Sequence, residues 1–120
     1  NPGDKHVEGD KKPPEGRFYV CLKNPASRYT LSLGLSYPSV EDAERGLRQG
    51  LIDRREHRLI VEANRGRRQP PWKTRLGGEI MIHGAGADRE GTLGCVGMND
   101  ADIRELYRLI PVGTEVVIRP

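Results

Sequence analysis

Aromatic residues are scarce in this chain: only Phe18, Tyr19, Tyr29, Tyr37, Trp72 and Tyr107 among 120 residues. With so few rings, the core of a domain this size must be packed mainly by aliphatic side chains. Those are not abundant either, since Leu, Ile, Val and Phe together number 27. A fold is expected, with a thin margin. Long apolar runs are missing. The longest, Phe18 to Leu22, has five residues, against about 20 needed to cross a bilayer as a helix, so no transmembrane helix is expected. No apolar leader opens the chain, and the polar start Asn1-Pro2-Gly3-Asp4-Lys5 reads as an interior or processed end, with any targeting signal upstream. Cysteine is reduced to Cys21 and Cys95, too few for a disulfide framework.

A strong charge of either sign is also lacking: 20 basic residues face 17 acidic ones, for a net charge of +3. Fifteen of the basic residues are arginine, which favours bidentate contacts with carboxylates or phosphates. Arg65, Arg67, Arg68, Lys73 and Arg75 form a local cluster. It has no interleaved aromatics for base stacking, and no helix is expected to carry a basic stripe. The cluster reads as a solvated face, and no nucleic-acid partner is expected.

Prolines, glycines and charges through residue 16 predict a loop closed by Pro13-Pro14-Glu15-Gly16. Arg17 to Lys23 reads as a strand from its aromatic and β-branched content, and Tyr29 to Leu35 alternates as a half-buried strand does. Asn24-Pro25-Ala26-Ser27 suits the hairpin link between them. Ser39 followed by Asp42, and Asp53 followed by Glu56, are two capping patterns. The first predicts a helix to about Gln49, stopped by Gly50. The second predicts a helix ending at Gly66, with Leu59, Ile60 and Ala63 on one face. Arg67 to Lys73, with Pro70-Pro71, reads as loop, and Glu79 to Ile82 as a short strand with His83 at its end. Asn99 and Asp102 cap a third helix, whose stripe is Ile103, Leu106, Tyr107 and Ile110. Thr114 to Ile118 reads as the last strand. The pattern is that of a single α+β domain, a mainly β sandwich or partial-barrel core with three helices.

The chemistry concentrates between His83 and Cys95. Nucleophilic catalysis by a thiol needs a base to take its proton, a group to orient that base, and backbone donors for the oxyanion. Cys95 supplies a thiol and His83, ending a strand, a base in a fixed place. The Gly84 carbonyl can accept from the imidazole N–H farther from the thiol, as an aspartate does in serine proteases. Gly94 and Cys95 can present backbone N–H donors, and the helix starting near Asp100 can turn its positive end towards a thiolate. Against this stand plainer readings, a structural histidine at a strand end and a cysteine acting as a small buried hydrophobe. Cys21, between Val20 and Leu22, fits the second and is expected in the core. His6 and His57 read as surface residues. A zinc site using His83, Cys95 and Asp88 or Glu90 lacks the paired ligand spacing, so no metal is assigned.

Ile82-His83-Gly84 followed by Thr92-Leu93-Gly94-Cys95-Val96-Gly97-Met98, with 12 positions from histidine to cysteine, resembles the signature of the L,D-transpeptidase catalytic domain family (YkuD-type). The likeness runs from Val7 to Ile118. EGDKKPPEGRFYV is similar to the family's EGD-x-x-TPEG-x-Y opening, KNPASRY to NP-x-S-x-Y, LGLSYP to LG-x-SYP, and PPWKTRLGGEIMIHG to the approach to the histidine. The resemblance implies a cofactor-free cysteine acyl transferase of the bacterial periplasm or cell envelope, acting on peptidoglycan stem peptides. It makes Cys95 the nucleophile, His83 the acid-base group, Gly84 its orienter, and the Gly94 and Cys95 N–H groups the oxyanion donors. Thr92 would contact substrate or brace the loop. Trp72 would wall the cleft or plug the core. Many members carry arginine two residues after the cysteine, where this chain has Gly97. It stands closer to a W-T-L-G-C-I-A branch associated with hydrolysis as well as transfer, including release of a linked lipoprotein. The alternatives are therefore an L,D-carboxypeptidase or amidase and a non-catalytic peptidoglycan-binding fragment. One or two strands normally precede the EGD segment, so residues 1–120 are expected to form the domain without them.

Overall fold

The computed structural model describes residues 5–10, 12, 14–27, 30–84 and 96–119. Among the described residues five strands form one sheet: β1 (Gly16–Ser27), β2 (Thr30–Leu35), β3 (Met81–His83), β4 (Val96–Gly97) and β5 (Glu115–Ile118). Their spatial order is β4-β3-β2-β1-β5, with every pairing antiparallel except the parallel β3–β4 step. The sheet curls into a half-barrel and carries helices α1 (Val40–Arg48), α2 (Arg54–Arg65) and α3 (Asp100–Leu109). This is the expected α+β architecture with three helices.

The chain from Ser32 to Pro38 is buried throughout, and β2 is paired on both edges. Phe18, Val20, Leu33, Leu35, Tyr37, Ile80 and Ile103 make up the main core, with Leu106 and Tyr107 of α3 and its C-cap Ile110 packed against it. The third helix therefore docks through the stripe its periodicity predicts. Full burial of Ile103 alone contributes about 1.5–3 kcal/mol. Lys23 secures the far end of α3, with Nζ donating to the Tyr107 carbonyl (2.5 Å) and lying 4.4 Å from that ring's centroid. A second, smaller core joins Ala43, Ile52, Ile60 and Leu76 between α1 and α2. Among the described residues the aromatics Phe18, Tyr19 and Tyr37 are buried, a larger aromatic contribution than aliphatic packing alone would give.

Both capping boxes form. Ser39 accepts from the Asp42 N–H, Asp53 accepts from the Glu56 N–H, and each acid returns a bond to the cap backbone. Gly50, at φ +73, follows the last turn of α1 in the left-handed conformation glycine adopts cheaply.

Several expectations shift. Asn24-Pro25-Ala26-Ser27 is not the hairpin link but the end of β1. A register irregularity between Asn24 and Ser27 spares Pro25 the ladder bond it cannot donate. The strand before His83 begins only at Met81, because Glu79 has φ +56 and leaves the extended region. Leu59 is 37 % exposed and lies off the buried face that Ile60 and Ala63 share. The last strand begins at Glu115, since the Thr114 N–H and hydroxyl both turn back to the Pro111 carbonyl. A basic stripe does exist, along the solvent side of α2. Arg54, Arg58 and Arg65 are all exposed and fall within about 40° of one another at 3.6 residues per turn.

The polar opening segment is also more than a loop in solvent. Lys5 is buried, with Nζ donating to the Val7 carbonyl and to Asp10, and the Glu8 N–H reaches the Arg75 carbonyl. Burial pushes the Asp10 carboxyl up. Bonds from the His6, Val7 and Lys12 N–H groups and from Lys5 outweigh it and bring the pKa from 3.8 down to about 2. A depressed folded-state pKa contributes stability that is present above the unfolded value and lost as pH falls through the folded one. The denaturation midpoint should therefore drop between about pH 4 and pH 2, and Asp10→Asn should flatten that part of the profile; an unchanged slope in urea titrations would count against this lock.

Candidate active site

Strand β3 ends in His83, and three contacts fix its backbone. His83 is paired opposite Ser32 of β2, its carbonyl accepts from the Met98 N–H at 2.9 Å, and the Gly84 N–H donates to the Leu31 carbonyl at 3.2 Å. The ring is 2 % exposed. Its Nδ1 lies 2.6 Å from the Gly84 carbonyl oxygen. A carbonyl can only accept, so Nδ1 carries the hydrogen. In the neutral ring Nε2 then holds the lone pair. The contact is made within one dipeptide at a strand end.

The strand on the other side of β3 is β4. Val96 pairs with Ile82, and Gly97 with His83. Parallel pairing places such backbones about 4.8 Å apart. Thr92, Gly94 and Cys95 lie outside the described residues, as does most of the glycine-rich loop. Helix α3 starts at Asp100 as expected, capped by Asn99, which accepts from the Asp102 N–H at 2.9 Å. Its first turn carries Asp100 and Asp102, and their carboxylates offset much of the positive end expected to face a thiolate.

Trp72 is half-buried and packs directly on Gly78: a Cβ there would come within 2.5 Å of the Trp72 side chain. Only glycine permits that approach. The indole Nε1 is buried and has no acceptor among the described residues.

Cys21 departs from the fully buried core position expected of it. It lies at a register irregularity between Val20 and Leu22 and is only partly buried. Burial still pushes its thiol up to about 11, more than its own backbone hydrogen bond lowers it. His6 is exposed, as expected. His57 is less so, half-buried with Nε2 2.9 Å from Glu44. Among the described residues no group of three His, Cys, Asp or Glu side chains could hold a metal ion.

Sequence reasoning missed the supports of His83: Ser32 opposite it, the Leu31 carbonyl and the Met98 N–H. All three depend on strand register. The alternation of β2 is the one signal in the sequence that bears on that register.

A model of the YkuD L,D-transpeptidase catalytic domain family matches residues 2–118. No curated protein sequence matches the chain. Among solved structures, the helical cell shape determining protein Pgp2 of Campylobacter jejuni superposes with a TM-score of 0.63 at 24% identity. The match covers 98% of this chain and 34% of that one, and a mutant of the same protein gives the same values. Bd1075 of Bdellovibrio bacteriovorus matches with a TM-score of 0.58 at 19% identity, over 93% of this chain and 35% of that one. The chain thus spans about a third of the length of these structures, and at such identities the likeness is one of fold.

The two cysteines should differ in reactivity. In a Cys95→Ser variant the remaining thiol, Cys21, should resist iodoacetamide at neutral pH and gain reactivity only as pH approaches its value of about 11. Rapid labelling at pH 7, followed by mass spectrometry, would overturn that assignment.

Proposed function

The chain belongs to the L,D-transpeptidase catalytic domain family, and on that premise we propose that it is a cysteine acyl transferase acting on peptidoglycan stem peptides in the bacterial cell envelope. The observation that carries this reading is the hydrogen bond of 2.6 Å from His83 Nδ1 to the Gly84 carbonyl. It leaves Nε2 of a buried imidazole as a base. The strand register supports it, since the residue after Cys95 pairs with the residue before His83.

In the proposed reaction Nε2 takes the proton of the Cys95 thiol. The thiolate then attacks the carbonyl at the L-centre of the diamino acid in a tetrapeptide stem. The Gly94 and Cys95 N–H groups hold the oxyanion, and Thr92 braces their loop. Collapse breaks the C–N bond to D-alanine, and the imidazolium returns its proton to the leaving amine. A thioester remains. Attack by an amine of a second stem forms the new amide and releases the Cys95 sulfur, which recovers a proton through His83. Water can take the amine's place at the thioester, so the outcome depends on how well the acceptor pocket favours amine over water.

Incubation with disaccharide-tetrapeptides tests the scheme. Mass spectrometry should show D-alanine release and crosslinked dimers, and Cys95→Ala should lower turnover by on the order of 10⁴-fold. Tripeptides without dimers would replace transfer by hydrolysis. Intact substrate in the presence of folded wild-type protein would overturn the enzymatic reading.

A further inference from the structure

The basic residues are not spread evenly. Residues 53–75 hold eight basic and three acidic residues, a net +5, whereas the rest of the chain holds twelve basic and fourteen acidic residues. The chain's whole positive excess thus comes from α2 and the segment after it. Within α2, the stripe of Arg54, Arg58 and Arg65 runs diametrically opposite the buried Ile60 and Ala63 and extends over about 16 Å at 1.5 Å per residue.

Two observations separate this stripe from an ordinary solvated face. Arg54 and Arg55 occupy the first turn of α2, where the helix dipole disfavours cations. Asp53 at the cap and Glu56 in the same turn offset part of that cost, and no ion pair among the described residues holds either arginine. Among the described residues the stripe is also unpaired. Ion pairs among the described residues join Lys5 to Asp10, Arg17 to Glu115, Arg45 to Asp42 and His57 to Glu44. None involves Arg54, Arg58 or Arg65, although Glu62 lies one turn from both Arg58 and Arg65.

We propose that this face of α2 is a docking surface for the carboxylate-bearing stem peptides of peptidoglycan, apart from the stem held at the catalytic histidine. This rests on the proposed activity for the identity of the polymer. Charge complementarity favours that partner, because guanidinium forks pair bidentately with carboxylates and a stem peptide offers several along its length. The stripe has no aromatic side chain on which a nucleobase could stack. Its single exposed apolar neighbour, Leu59, is too little to insert into a lipid interface. The surface would hold the enzyme on its polymer between turnovers and raise the local concentration of stems around it.

Cosedimentation with purified sacculi tests this, using the full chain with Cys95→Ala so that nothing turns over. Reversing the stripe (Arg54→Glu, Arg58→Glu, Arg65→Glu) should weaken binding about tenfold at low salt, and neutralising it with glutamine should weaken it less. Circular dichroism checks that both variants fold. The difference between variants should vanish in high salt, and on sacculi stripped of stem peptides by an amidase. Equal binding by all three proteins would overturn the proposal. So would a variant difference that persists on stripped glycan, or one seen with phosphatidylglycerol vesicles and not with sacculi. Turnover of soluble disaccharide-tetrapeptide by the Cys95 protein reports separately on the catalytic reading, so the two can fail independently.

Discussion

The constraint on which this structure depends is the double pairing of β2. This strand hydrogen-bonds β1 on one edge and β3 on the other, and the chain from Ser32 to Pro38 has no exposed residue. Because side chains alternate with a period of two, a slip of one residue would turn Leu33 and Leu35 out of the core. The hydrophobic effect therefore fixes the register of β2, and that register places His83 opposite Ser32. The histidine inherits its position from burial several residues away.

From there the site is built by short links. Leu31 takes the Gly84 N–H, and the Gly84 carbonyl takes the His83 Nδ1 hydrogen. The Met98 N–H binds the His83 carbonyl, tying the histidine to the segment leading into α3. That helix is held at one end by Asn99 and at the other by Lys23. Both flanks of the glycine-rich loop are thus attached to the main core. An imidazole held this way needs little reorganisation to transfer a proton.

Much of this was legible from residue patterns, for identifiable reasons. The helices could be read because their signals are local: Ser39 with Asp42, Asp53 with Glu56, and Asn99 with Asp102 each lie within one turn. The His83–Gly84 contact could be read because it joins neighbours. Pairings across the sheet were another matter. Asn24 to Ser27 resembles a turn by composition, yet an irregular ladder absorbs Pro25 into β1. Ser32 opposite His83 has no signal of its own, since register comes from tertiary burial. The stripe on α2 escaped because its arginines sit among others in sequence, and only the buried positions of Ile60 and Ala63 show which of them share the solvent face.

The central claim is that the Gly84 carbonyl holds the His83 ring with hydrogen on Nδ1 and a lone pair on Nε2. Nitrogen-15 NMR of the histidine ring in the neutral protein measures this directly. The account predicts a protonated Nδ1 and an unprotonated Nε2 for His83. A ring protonated on Nε2, with Nδ1 bare, would break the contact to Gly84 and contradict it.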